Sequence, residues 1–369
     1  MKLKKAVMMG LLYDLVFAYI LTNFTGYASE FVYGILPVMS LVTTAVGALT
    51  LASIWVDQTF VTQRFHRDDS LLTLLCYAAG IIVAGILSRT QSKMWLGSFP
   101  MFARYAAILS GLILIQYIAV FFTTEELDRR LSIFYILMTG IRTALLAAAS
   151  FLALNWSVLL TLVAVEIAHL MPIAIRQHLD ISKTTFAHIN EKMALLLIFV
   201  MTKKMIFDIV FFFIKKNALT VPQLLLHIVF LITTAFWGTL HFDRLMNNRR
   251  ELKGASVICT YIFVIASTVI LVTGMDILTE PLVEPLFAVS IFYLCVTAFD
   301  LSLIFGVRHY HMKVKHRMTV ITGLVVMYLF GLSLSLKFLQ NPTVILLFTA
   351  IMGVGIVAFS LEATRHMLE

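Results

Sequence analysis

An all-α, polytopic integral membrane fold of about twelve helices is what this sequence predicts, and three observations carry the prediction. Hydrophobic residues make up 60% of the 369 and charged residues 13%, with a mean hydropathy of +0.95. A soluble domain of that make-up would lack the polar surface needed to cover it. Apolar runs long enough for a bilayer, which takes about 20 helical residues, recur along the whole chain. Lysine and arginine then divide unevenly between alternate loops, as they do when charge sets orientation.

The first run, 6–25, follows Met1-Lys-Leu-Lys-Lys and has the look of a signal peptide. Asp14 interrupts it and many runs follow, so it reads as an uncleaved first helix. Run 34–60 opens near Pro37 and leads through Trp55 to Arg64. Run 71–87 carries Gly80 and Ala84, a small pair four apart that suits close helix packing. Runs 101–122 and 133–152 follow, the second carrying Arg142, and run 156–175 carries Glu166, His169 and Pro172. Run 193–214 holds Lys203, Lys204 and Asp208, and 221–241 starts at Pro222 and leads through Trp237 to Arg244. Runs 256–275, 285–306, 317–337 and 343–361 complete the set, with Asp300 in the tenth.

Six of the seven prolines, Pro37, Pro100, Pro222, Pro281, Pro285 and Pro342, fall at or just before the outer starts of spans 2, 4, 8, 10 and 12. Proline is tolerated there because the first turn of a helix has no hydrogen bond to lose. Pro172 alone is expected inside a helix, which it should kink. The repeated proline and tryptophan rhythm suggests two six-helix halves, 1–180 and 181–369. Six is even, so the halves would be parallel, related by an axis along the membrane normal.

With the N-terminus inside, the inner loops and tails hold nineteen of the 28 basic residues, from Lys2, Lys4 and Lys5 to Arg365. The outer loops hold Arg89, Lys93, Lys215, Lys216 and Lys337. Both termini are therefore expected in the cytoplasm. The net charge of +8 would raise nucleic acid as a partner for a soluble chain, but no basic face or groove-reading motif supports it. Cys76, Cys259 and Cys295 lie inside apolar runs and are odd in number, giving neither a disulfide framework nor a metal spacing.

The seventh run contradicts itself, and that makes it the most informative stretch. Three charges in the middle of Met193 to Ile214 oppose insertion by roughly 7 to 10 kcal/mol, while its fourteen Leu, Ile, Val and Phe residues favour it by about 4 to 8. This helix needs polar partners. Lys204 and Asp208 are four apart and share a face, as do Glu166 and His169 at three apart. Lys203 points about 100° away from Lys204, so its partner belongs on another helix, with Asp14 or Glu166 expected from depth.

Three stretches resemble the bacterial low temperature requirement protein A (LtrA) family. Leu11-Leu-Tyr-Asp-Leu-Val-Phe-Ala-Tyr-Ile-Leu-Thr22 is similar to the family's Glu-Leu-Phe-Phe-Asp-Leu-Val-Phe-Val-Phe-Ala-Ile-Thr, with Asp14 matching and the preceding Glu falling at Gly10. Thr62-Gln-Arg-Phe-His-Arg-Asp-Asp69 resembles Thr-Asn-Arg-Phe-Asp-Thr-Asp-Asp, matching at Arg64, Phe65, Asp68 and Asp69, with Trp55 upstream. His188-Ile-Asn-Glu-Lys-Met-Ala-Leu-Leu-Leu-Ile-Phe-Val-Met-Thr-Lys203 resembles His-x-x-Glu-Arg-x-Gly-Leu-Phe-Val-Ile-Ile-Val-Leu-Gly-Glu. His188 and Glu191 match, Lys192 replaces Arg, Ala194 replaces Gly, and Lys203 reverses the charge of the closing Glu. The resemblance implies a multi-pass protein of the bacterial cytoplasmic membrane, tied by name to growth at low temperature. It carries over no chemistry.

Two readings of the intramembrane charges stay open. Asp14, Arg142, Glu166, His169, Lys203, Lys204 and Asp208 can be ion pairs that fix which helices meet, or the lining of a path for a proton, ion or small molecule. Glu166 with His169 before the Pro172 kink can pass a proton; Arg142 stays charged and can clamp a carboxylate or phosphate. Arg64, Asp68 and Asp69 are expected to cap span 2 at its inner end, with a gate or ligand contact as the alternative.

His309, His311 and His316 sit in a basic loop, but no carboxylate or cysteine completes a metal site, and the charges suit anionic lipid headgroups. No Walker loop, Gly-x-Ser-x-Gly, His-Glu-x-x-His or Cys-x-x-Cys occurs. No cofactor, metal or enzyme class is therefore assigned. The expected partners are the bilayer and a small molecule or ion. A secondary transporter or ion pathway is the first functional reading. The alternatives are a membrane enzyme or accessory protein that binds lipid or envelope precursors through Arg64 and Arg142, and a structural or regulatory membrane protein.

Overall fold

A computed structural model describes residues 5–23, 34–65, 71–90, 95–123, 126–174, 186–214, 220–242, 255–280, 282–307 and 314–368. These residues form twelve α-helices, each over one of the twelve apolar runs. They are α1 (Lys5–Asn23), α2 (Val38–Phe65), α3 (Leu71–Thr90), α4 (Trp95–Phe121), α5 (Glu126–Ala149) and α6 (Leu154–Ala174). The remaining six are α7 (Phe186–Ile214), α8 (Val221–Leu240), α9 (Ala255–Thr279), α10 (Pro285–Val307), α11 (Val314–Lys337) and α12 (Pro342–Leu368).

Eight of the helices, α2 to α5, α8 to α10 and α12, are long and apolar enough to cross a membrane. In α1, α6 and α11 the apolar stretch is shorter, Met8–Asn23, Leu154–Ala168 and Ile321–Lys337. The 29 residues of α7 have the length, and the charges read from its sequence are what set it apart.

Two compact units divide the chain. One holds Met1–Tyr27, Val38–Ile189 and Glu251–Ala266, and the other Ala28–Pro37, Asn190–Arg250 and Ser267–Glu369. In the first unit α4 packs on α5, α5 on α6, α1 on α3, and α2 on both α4 and α6. From Thr50 through Thr62 every residue of α2 is buried, so this helix is enclosed on all sides and its polar residues face other helices. Gly80 allows α3 to approach α1, since a Cβ there would stand 2.9 Å from the Tyr13 ring.

One expectation is corrected in this unit. Pro100 lies inside α4 rather than at its start. The helix begins upstream because Trp95 is buried against Phe99 and Phe102, and its indole N–H donates to Thr43 Oγ1 at 2.8 Å. That anchoring offsets the backbone hydrogen bond that an interior proline removes. Pro172 is thus not the sole interior proline; α6 runs through it to Ala174.

In the second unit α8 packs on α12, α11 on α12 and α10 on α11. Pro222, Pro285 and Pro342 occupy the first turns of α8, α10 and α12, where they were expected. Before α10, the Glu284 N–H donates to the Gly34 carbonyl at 3.0 Å, and Gly34 adopts a φ of +79°, which a residue with a Cβ rarely adopts. α10 comes close to α9 at Gly274, where a Cβ would meet Cys295 Cβ and Sγ at 2.9 Å and the Phe292 Cα at 3.4 Å. Of those atoms the Cys295 Cβ and the Phe292 Cα are fixed by the backbone of α10 and cannot swing aside. Gly274→Ala is therefore expected to destabilise the protein by about 1–3 kcal/mol, read as a lowered melting temperature in detergent, whereas Gly85→Ala, with open space around it, should leave it unchanged.

Candidate functional site

Each unit buries a polar cluster of its own. In the first, α5 carries Arg142 into the interior, where it is 0% exposed. Ser53 and Asp57, one helical turn apart on α2, face it: Nη1 donates to Asp57 Oδ2 at 2.5 Å and to Ser53 Oγ at 2.9 Å. From α4, Ser110 Oγ accepts from Nε at 2.9 Å, and Thr143 donates to the same hydroxyl. Asp57 was not among the residues expected from the sequence. It is a carboxylate two positions after Trp55, and treating every charge inside an apolar run as a candidate would have found it.

Around this ion pair the polar groups of the unit answer one another. The Trp55 indole N–H donates to Asp14 Oδ1 at 2.9 Å, joining two residues singled out separately. Gln58 and Gln116 exchange amide hydrogen bonds at 3.0 and 2.8 Å. Tyr117 and Tyr135 stack at 5.1 Å, with Phe65 edge-on to Tyr117, and the buried Arg64 lies 6.0 Å from the Phe65 ring. Glu166 is half-buried and makes no ion pair among the described residues. The side chains of His169, Pro172 and His188 lie outside the described set, as do Asp68, Asp69, His309 and His311 and the side chain of His316. The cap expected from Arg64 with Asp68 and Asp69, the Glu166–His169 relay and the histidine loop therefore fall there in whole or in part.

The second unit holds the charges of α7. Lys204 binds Asp208 one turn on, and from α9 Asp276 Oδ1 approaches the same ammonium at 2.7 Å. Lys204 and Asp208 are almost wholly buried, but the Asp276 side chain is 33% exposed. His227 of α8, itself buried, places Nδ1 3.7 Å from Asp208 Oδ2. Neither of its ring nitrogens has a hydrogen-bond partner among the described residues. Lys203, on the neighbouring face of α7, is half-buried; Lys192 is half-buried and Glu191 exposed near the start of the helix. Asp276 and His227 were missed in the sequence, the first because it falls one residue past the ninth run and the second because nothing in its own helix marks it.

Formal charges describe what this cluster can do. One ammonium faces two carboxylates, so with all three ionised it carries a net −1, in surroundings where uncompensated charge is costly. The chain Asp276, Lys204, Asp208, His227 runs from a part-exposed group to a fully buried one, every member a proton donor or acceptor.

Helices of this length and apolarity, with ionic groups buried among them, define a multi-pass α-helical membrane protein. The chain belongs to the bacterial low temperature requirement A protein (LtrA) family, whose model matches residues 5–357. Neither a curated protein nor a solved structure matches it.

Proposed function

We propose that this protein is a secondary transporter or ion pathway that moves a proton or another monovalent cation through the Lys204–Asp208–Asp276 cluster. The observation that carries the reading is one buried ammonium held between two carboxylates, the outer one part-exposed, with His227 beyond. A cluster with one negative charge in excess favours one compensating positive charge, and groups of this kind inside membranes commonly mark proton and ion routes. Twelve spans with both termini in the cytoplasm, built as two parallel halves, complete the proposal; in that orientation the cluster lies in the outer part of the membrane.

The first unit favours a structural role for its own ion pair, since Arg142 is enclosed by Asp57, Ser53 and Ser110. A phosphate-binding role for Arg142 has less support than its function as an internal tie between α2, α4 and α5.

The test is purified protein in liposomes, with internal pH followed under an imposed gradient. Wild-type protein is expected to dissipate the gradient faster than empty liposomes. Asp208→Asn, which keeps the shape and removes a charge, should lower the flux at least tenfold while melting close to wild type. Undiminished flux in a folded Asp208→Asn variant would remove the cluster from the path.

A further inference from the structure

We propose that Asp300 is a proton-binding site separate from the Lys204 cluster, its carboxyl sharing a small cavity with one water molecule and the Trp237 indole. Asp300 lies on α10 and is 8% exposed, and its Oδ2 has no hydrogen-bond partner among the described residues. Trp237 of α8 is 2% exposed, and its indole N–H likewise has none. Both line the same cavity, with Thr233 and Thr234 of α8, Leu271 of α9 and Met352 of α12 among the other walls. Two buried, unsatisfied polar groups facing one space are an exception that calls for a physical cause.

Size narrows the occupant. The cavity leaves about 20 Å³ for the centre of a water-sized sphere, roughly what a single water requires and far less than the several hundred Å³ of a metabolite pocket.

Chemistry narrows it further. Asp300 is the one titratable group among the lining residues. On the helices that form the walls, His227 and Asp276 face the Lys204 cluster, and the His241 ring stands edge-on to Trp237 at 6.4 Å without lining the cavity. Among the described residues no cation lines the cavity to neutralise a carboxylate, and a proton does so at the least cost in space. The indole N–H needs an acceptor, which an alkali cation is not and a water oxygen is. Thr233 and Thr234 each donate their hydroxyl proton to the Phe230 carbonyl, at 2.9 and 2.8 Å, leaving oxygen lone pairs to accept from the carboxylic acid or the water. A protonated Asp300 and one water thus satisfy every polar group of the cavity.

Binding of this proton is independent of whether ions move through the Lys204 cluster, and it is read without any flux. Infrared difference spectra of the full-length protein in lipid, wild type minus Asp300→Asn, are expected to isolate a protonated-carboxyl C=O band at neutral pH. That band should fade as pH is raised. Trp237→Phe, which removes the donor and keeps an aromatic wall, should shift the same band, giving a second readout if Asp300→Asn folds poorly. Trp237 emission should also respond to pH in the wild type and lose that response in Asp300→Asn. A carboxylate band in place of the acid band, or a Trp237 response to sodium at fixed pH, would overturn the proposal in favour of an ionised Asp300 or an alkali-cation site.

Discussion

Arg142→Met is expected to cost the protein about 3–5 kcal/mol, enough to abolish folding in most membrane preparations. The guanidinium is wholly buried and holds three acceptors on two helices, Asp57 and Ser53 of α2 and Ser110 of α4. Methionine fills much of the volume, so the loss comes from the orphaned charge of Asp57, itself only 4% exposed. The double variant Arg142→Met with Asp57→Asn removes that charge as well and should recover most of the stability, because a buried ion pair contributes little net when both partners leave together. Thermal melting in detergent, single against double, measures the coupling. A single variant that melts like wild type would show that Asp57 reaches water or another cation. A double variant as unstable as the single would show that the guanidinium's bonds to Ser53 and Ser110, and not the charge pairing, hold α2, α4 and α5 together.

The helices were legible because a bilayer demands about 20 apolar residues in each, and that demand is written in consecutive positions. Their ends were less so. Glu126 to Arg130 opens α5 as a polar turn and a half ahead of the apolar run that begins at residue 133. Apolarity marks the part of a helix that meets lipid, whereas helix ends are set by what the polar turns and aromatics touch, as Trp95 does for α4. The site divides the same way. Lys204 and Asp208 were readable because four residues is one helical turn. Arg142 with Asp57, and Lys204 with Asp276, are pairs between helices far apart in the chain, and no spacing rule connects them. Asp14 was visible as a charge within an apolar run and Trp55 through the tryptophan rhythm and the family resemblance, but their hydrogen bond was not.

Lys204→Met and Asp276→Asn together separate structure from function in the second unit. Lys204→Met leaves Asp208 and Asp276 facing one another without their cation, and breaking a buried pair in this way costs about 3–5 kcal/mol; like charges at close range add to the penalty. This variant is expected to melt far below wild type. Asp276→Asn has the opposite structural sign: it leaves the Lys204–Asp208 pair intact and takes the net charge of the cluster from −1 to zero, so stability should be unchanged or slightly raised. If the cluster is purely structural, Asp276→Asn weakens at most the tie from α7 to α9, where the Asn amide oxygen can still accept from the Lys204 ammonium, and liposome flux stays at the wild-type level. If the excess negative charge is what draws a proton or cation inward, the same variant folds well and loses most of its liposome flux, since the part-exposed entry group can no longer ionise. Flux retained in Asp276→Asn, alongside the expected collapse of Lys204→Met, would assign the cluster to helix pairing alone and move the search for a path to Asp300 and the neighbouring faces of α8 and α10.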